Sequence, residues 1–221
     1  MTRFLHRLSP TGFARLLAVI TVSGLAALAL APLAAGPAAK NTLPGARAEI
    51  DAGRFPTLQA ALDAIPPEGG IVRLPPGHFE ITKPLVLSRP DVTLVGAGTA
   101  THIHNANVQG KPALVVQHPD GEKVKSADRL WRVRLADFRL TGTAKSGHGV
   151  VALWINELFV QGLTVSEHGG DGLRLDHCYE DPRISDSLIT YNKQVGLNLI
   201  GCHDIVVSSN QFEENNDALS C

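Results

Sequence analysis

An all-β, single-stranded solenoid, the parallel β-helix, is the fold this sequence predicts, and three observations predict it. Segments of the form Gly-apolar-x-apolar recur at Gly149-Val150-Val151-Ala152, Gly172-Leu173-Arg174-Leu175 and Gly196-Leu197-Asn198-Leu199, 23 and 24 residues apart. Two further columns, Leu135, Val160, Ile184, Val207 and Leu140, Val165, Ile189, Phe212, keep a step of 23 to 25. No helical period interrupts a repeat, so a unit cannot bury its own apolar face and must stack on the next, with coils roughly 4.8 Å apart.

The elements follow in order. Arg3, His6, Arg7 and Arg15 precede an uncharged, Ala- and Leu-rich stretch from Leu16 to Ala39, which reads as an export signal over residues 1–38, cleaved after Ala38, with an uncleaved anchor as the alternative. Residues 39–48 form a linker, and residues 49–221 the β-helix domain. Thr57 is placed to cap a short helix whose Leu58, Ala61, Leu62 and Ile65 share one face, and Pro66-Pro67 and Gly69-Gly70 stop it. This helix caps the solenoid. Short strands are then expected at Ile71–Leu74, Phe79–Ile81, Leu85–Leu87 and Val92–Val95, the last ending before Gly96.

Composition narrows the function. The chain has 20 Lys+Arg against 21 Asp+Glu, a net charge of -1 and no basic tract, which argues against nucleic acid as a partner. At 5% aromatic residues, the core must be built from Leu, Val, Ile and Ala. Three cysteines exclude a disulfide framework. By column they read as small buried hydrophobes with free thiols, Cys178 above Cys202 and Cys221 in line with Leu175 and Leu199.

Strand alternation assigns sides: Leu173, Leu175, Leu197 and Leu199 inward, Arg174, Asp176 and Asn198 outward. His168, Asn192 and Asn215 lie three residues beyond the Val165, Ile189 and Phe212 column, so the two asparagines are expected to form a hydrogen-bonded ladder.

Three stretches carry a family resemblance. They are Phe55-Pro56-Thr57-Leu58-Gln59-Ala60-Ala61-Leu62-Asp63, Gly69-Gly70-Ile71-Val72-Arg73-Leu74-Pro75-Pro76-Gly77 and Val92-Thr93-Leu94-Val95-Gly96-Ala97-Gly98. Together they resemble the start of a right-handed parallel β-helix of the pectin lyase-like superfamily, most closely its rhamnogalacturonase/epimerase-like pectate lyase branch. The resemblance covers roughly Ala46 to Cys221 and implies an exported carbohydrate-active protein acting on an acidic polysaccharide by lyase or hydrolase chemistry. The superfamily also contains non-catalytic proteins, so a β-helix that binds glycans without turning them over is the alternative. The strands typical of pectin methylesterases are missing. Gly170-Asp171-Gly172 and Gly147-His148-Gly149 resemble polygalacturonase motifs in the wrong order, and Gln194-Val195-Gly196 stands where paired acids would be.

Elimination from a uronate needs a base for the proton α to the carboxylate, commonly an Arg or Lys near Ca2+ in the pectate lyases this sequence resembles, and oxygen ligands to hold that cation, so Arg174 is expected to bind or deprotonate a uronate. Hydrolysis needs two carboxylates instead. The densest outward cluster supplies the candidates: Asp171, Arg174, Asp176 and His177 as catalytic residues, with His168 and Asn198 binding substrate. Asp217, two coils from Asp171 in the same column, is a second carboxylate for an inverting pair. Glu157, Glu180 and Asp204 stack into a column that repels itself unless a cation such as Ca2+ or a basic neighbour relieves it. His102 and His104 share a strand face and offer two imidazoles to a transition metal, with no third ligand evident.

The sequence stops at Cys221, a few residues into a coil that begins like its predecessors. A solenoid end without a cap exposes edge groups, so the expectation is either a longer parent protein or self-association through that coil.

Overall fold

The computed structural model describes residues 43–221. The expected export signal and the first residues of the linker lie outside the described residues. Among those described, no helix is long and apolar enough to cross a membrane.

The chain winds into a solenoid of about seven coils of about 24 residues, with three parallel sheet faces. Face 1 stacks Ala48–Asp51, Gly70–Arg73, the first parts of Val92–Asn105 and Leu130–Thr141, Ile155–Gln161, Arg183–Ser185 and Val206–Ser208. Face 2 stacks Gly77–Ile81, the second parts of Val92–Asn105 and Leu130–Thr141, Thr164–Ser166, Leu188–Thr190 and Gln211–Glu213. Face 3 stacks Leu85–Leu87, Leu114–Gln117, Val150–Leu153, Leu173–Asp176, Val195–Ile200 and Asp217–Ser220.

The register is the one the columns predict. Leu135 pairs with Val160, Ile184 and Val207 in succession, and Leu140 with Val165, Ile189 and Phe212. On face 3, Leu173 lies between Val150 and Leu197. These side chains form one core along the axis, buried in the inner coils and half-buried at Val207 and Phe212, and Phe138 is the one aromatic among the largest fully buried residues described. Burial at roughly 25 cal/mol per Å2 of apolar surface is therefore supplied by many small contributions, shared between neighbouring coils.

The capping helix runs Leu58–Asp63. The Thr57 hydroxyl accepts the Ala60 N–H, and Leu58, Ala61 and Leu62 face the core. One expectation is corrected: the strand from Val92 does not end before Gly96 but continues to Asn105, bending from face 1 to face 2 through two register shifts. Gly96 makes the bend possible, because a side chain there would collide with the Asp137 carbonyl of the next coil.

Corners are turned by single residues in the left-handed region, stacked from coil to coil. Asp137, Gly162, Asp186 and Ser209 (φ 54 to 65°) turn face 1 into face 2, and Glu167, Tyr191 and Glu214 (φ 52 to 64°) lead from face 2 toward face 3. Trp154, His177 and Gly201 (φ 53 to 57°), followed by Glu157, Glu180 and Asp204 (φ 54 to 61°), carry face 3 back to face 1. Glycine, asparagine and aspartate adopt this conformation most readily, so the bulky aromatics there are notable.

The asparagine ladder is present. Asn192 Oδ1 accepts the His168 N–H, Asn215 Oδ1 accepts the Asn192 N–H, and the two amides donate to the Val165 and Ile189 carbonyls. A second ladder, unread in the sequence, joins Ser187 and Asn210 at the face 1 to face 2 corner.

Candidate active site on face 3

Strand Leu173–Asp176 buries Leu173 and Leu175 and turns Arg174 and Asp176 outward. On the next coil Asn198 is in register with Arg174. Arg174 Nη2 lies 3.5 Å from Asp176 Oδ2, and Asp176 Oδ1 lies 2.6 Å from His177 Nδ1. The three side chains are 33%, 23% and 38% exposed, reaching solvent while staying anchored. At this exposure the Arg174–Asp176 pair contributes under about 1 kcal/mol to stability, so it constrains geometry more than it holds the fold.

The His177 ring is fixed from two sides. Asp176 accepts from Nδ1, leaving Nε2 as the free nitrogen, and Trp154 of the preceding coil stacks on the imidazole at 4.2 Å and 19°. Arg129 lies over both Trp154 and Tyr179, at 4.8 and 4.7 Å, and Tyr179 contacts His203 at 4.4 Å. In the following coil Gly201 occupies the His177 column, where an added methyl would come within 3.1 Å of Nε2. Trp154, Tyr179, His203 and Arg129 were not singled out from the sequence. The signal was available: Trp154 and His177, like Tyr179 and His203, are one repeat apart.

Two expected site residues are corrected. His168 is fully buried, not on an exposed turn, because it occupies the position of the inward asparagine ladder. Burial lowers its pKa to about 4, against the support of the nearby Leu140 carbonyl. Asp171 is 1% exposed and works as a clamp between coils: Oδ1 accepts the Val195 N–H and Oδ2 the Asn198 amide. His148 Nδ1 stands 2.8 Å from the Asp171 amide and 3.3 Å from Oδ2, serving the carboxylate when protonated there and the amide when not. Asn198 is thereby committed in part to Asp171. With Asp171 sealed, a hydrolytic pair between it and exposed Asp217 loses one member.

Burial alone would raise the Asp171 carboxyl, but hydrogen bonds from His148, Asn198 and the Val195 amide outweigh it and hold the group below its usual range. A depressed carboxyl stabilises the fold above its unfolded pKa, and that contribution is lost as pH falls through the folded value. Asp171→Asn is expected to cost about 1 to 2 kcal/mol near neutral pH, because an amide set against Asn198 loses one acceptor. Chemical denaturation checks this, and the difference from wild type should shrink in acid.

The other clusters do not gather as ligand sets. Glu157, Glu180 and Asp204 do stack, but Arg132 heads their column, and its guanidinium holds Asp91 at 2.6 Å and is drawn by Glu157. Among the described residues no three His, Cys, Asp or Glu side chains are arranged to hold a metal ion. His102 and His104 both bond the Thr141 hydroxyl at 2.8 Å, and His78, a neighbour missed in the sequence, meets His102 at 2.9 Å between Nδ1 atoms. Cys178, Cys202 and Cys221 are unbridged as expected, with Cys202 Sγ accepting the Cys178 N–H at 3.3 Å. Cys221, expected inward, is exposed.

Comparison with known proteins finds structural likeness at low identity. The A-module of mannuronan C-5 epimerase AlgE6 from Azotobacter vinelandii is 19% identical, with a TM-score of 0.53, over 77% of this chain and 58% of that one. ORF18 of Geobacillus virus E2 is 19% identical, with a TM-score of 0.51, over 77% of this chain and 40% of that one. The chain thus spans less than two thirds of the length of either protein. No family model and no curated protein matches the sequence. At such identity the likeness establishes the fold alone, a parallel β-helix, and leaves activity to the site.

Proposed function

We propose that the protein is an exported carbohydrate-active β-helix that acts on a uronate-containing polysaccharide by removing the proton α to the carboxylate. The observation that carries this reading is the fixed triad of Arg174, Asp176 and His177 on the outer side of face 3. Asp176 holds the proton on His177 Nδ1, so Nε2 is the base, the same division of labour as in other carboxylate–imidazole pairs. Arg174 takes the uronate carboxylate and stabilises the charge that develops beside it.

In the step itself Nε2 takes the C5 proton, and the electron pair left on C5 forms the C4–C5 double bond as the C4–O bond breaks. The departing oxygen takes a proton from water. Return of a proton to the opposite face of C5 without C–O cleavage is epimerisation, so lyase and epimerase outcomes share this geometry. Hydrolysis is disfavoured because Asp171 is sealed behind Val195 and Asn198. The export signal expected from the sequence, and the structural likeness to a mannuronan C-5 epimerase module, support a polysaccharide outside the cytoplasm as the substrate class.

The test is incubation with polygalacturonate and alginate, following unsaturated uronate by ultraviolet absorbance and C5-inverted residues by NMR. Arg174→Ala is expected to lower the rate by about tenfold or more. An unchanged rate removes Arg174 from the mechanism, and retention of the polymer with no product leaves a glycan-binding solenoid instead.

A further inference from the structure

The corner between faces 2 and 3 carries groups that the face 3 chemistry does not use. Glu167, Tyr191 and Glu214 stand one above another on successive coils, each directly following a residue of the paired Ser166, Thr190 and Glu213 file. All three adopt left-handed backbone, at φ 64, 56 and 52°. For a tyrosine this is an uncommon and strained choice, where asparagine or glycine would turn the chain with less strain. Tyr191 is 53% exposed, the most exposed aromatic residue among the large hydrophobics described. Among the described residues its ring has no aromatic or cationic partner, its hydroxyl makes no hydrogen bond, and the side chains of Glu167, Lys193 and Glu214 make no hydrogen bond or ion pair. These groups, with His104 and Thr143, line a groove of about 730 Å3 that runs along the solenoid axis.

We infer that this groove binds a neutral, hydroxyl-rich glycan chain laid along the axis. The electron-rich face of Tyr191 matches the C–H face of a pyranose, and a flat, rigid side chain makes that contact at low entropic cost. Carboxylates are acceptors only, so Glu167 and Glu214, one coil to either side, fit sugar hydroxyls as donors, and Lys193 supplies the complementary donor. The same carboxylates oppose a uronate or a phosphate backbone through like charge. They do not gather as a cation site either, since among the described residues no three His, Cys, Asp or Glu side chains are arranged to hold a metal ion. A groove that takes neutral chains beside a face that takes acidic ones would hold the protein on a mixed matrix while face 3 acts.

The experiment is calorimetric titration of the full chain with cellohexaose, laminarihexaose and maltohexaose. Because the probes carry no carboxylate, their binding is read independently of any uronate turnover. One of them is expected to bind with a micromolar to millimolar dissociation constant, weakened about tenfold or more by Tyr191→Ala and retained by Tyr191→Phe. Glu167→Gln is expected to weaken it severalfold. Tyr191→Asn, which suits the left-handed corner, should keep or raise the melting temperature while binding is lost, separating recognition from folding. Absence of binding by all three sugars, or binding that survives Tyr191→Ala, overturns the inference.

Discussion

Replacing His177 with glutamine is expected to lower turnover of a uronate polymer by about a hundredfold to ten-thousandfold, the range general-base catalysis commonly supplies. Glutamine keeps a polar group near Asp176, but its amide nitrogen is no base. The loss should fall on kcat with little change in KM, because Arg174 and not the imidazole holds the substrate carboxylate. Trp154→Leu tests positioning separately: without the 4.2 Å stack, His177 is free to swing about its Asp176 contact. Activity should fall in kcat, with KM and the denaturation midpoint little changed, and recover in part with Trp154→Phe; a merely structural tryptophan would lower the midpoint instead.

The second large effect concerns acid stability. His168 has an ordinary pKa of 6.5 when unfolded and about 4 in the fold, where burial comes first and the nearby His148 and His104 add to it, against the Leu140 carbonyl. A histidine that stays neutral when folded contributes its full stability above the unfolded pKa. As pH falls from there toward the folded value, the unfolded chain takes up a proton that the native chain refuses. Between about pH 7 and about pH 4 this withdraws about 3 kcal/mol. His168→Asn should remove that loss and let the side chain join the Asn192 and Asn215 ladder. Denaturation curves of wild type and variant across this range decide the matter: parallel pH dependence would show that His168 does not carry the acid sensitivity.

The solenoid was legible because its evidence is repeated. Each inward column, such as Leu140, Val165, Ile189 and Phe212, states the same coil step several times, and pairing follows it. The site was legible only where strand alternation reaches. Arg174 and Asp176 sit inside a strand and face outward as read. Asp171 and His168 lie in the turn, where the Glu167 left-handed corner resets which side a residue faces, so the alternation rule failed for both. The contacts of Trp154 with His177, and of His78 with His102, join neighbouring coils and escape any local motif. Stacking the sequence at its own 23 to 25 residue step would have brought each pair together. Tyr191 escaped notice for a different reason: its strain is a backbone property that the side-chain pattern does not show.

The central claim is proton abstraction at C5 on face 3, and the most direct measurement is NMR of alginate and polygalacturonate after incubation with the protein in heavy water. The account predicts deuterium at C5 or unsaturated uronate ends with wild type, and neither with His177→Gln. A polymer recovered with its C5 protons and chain length intact would contradict it.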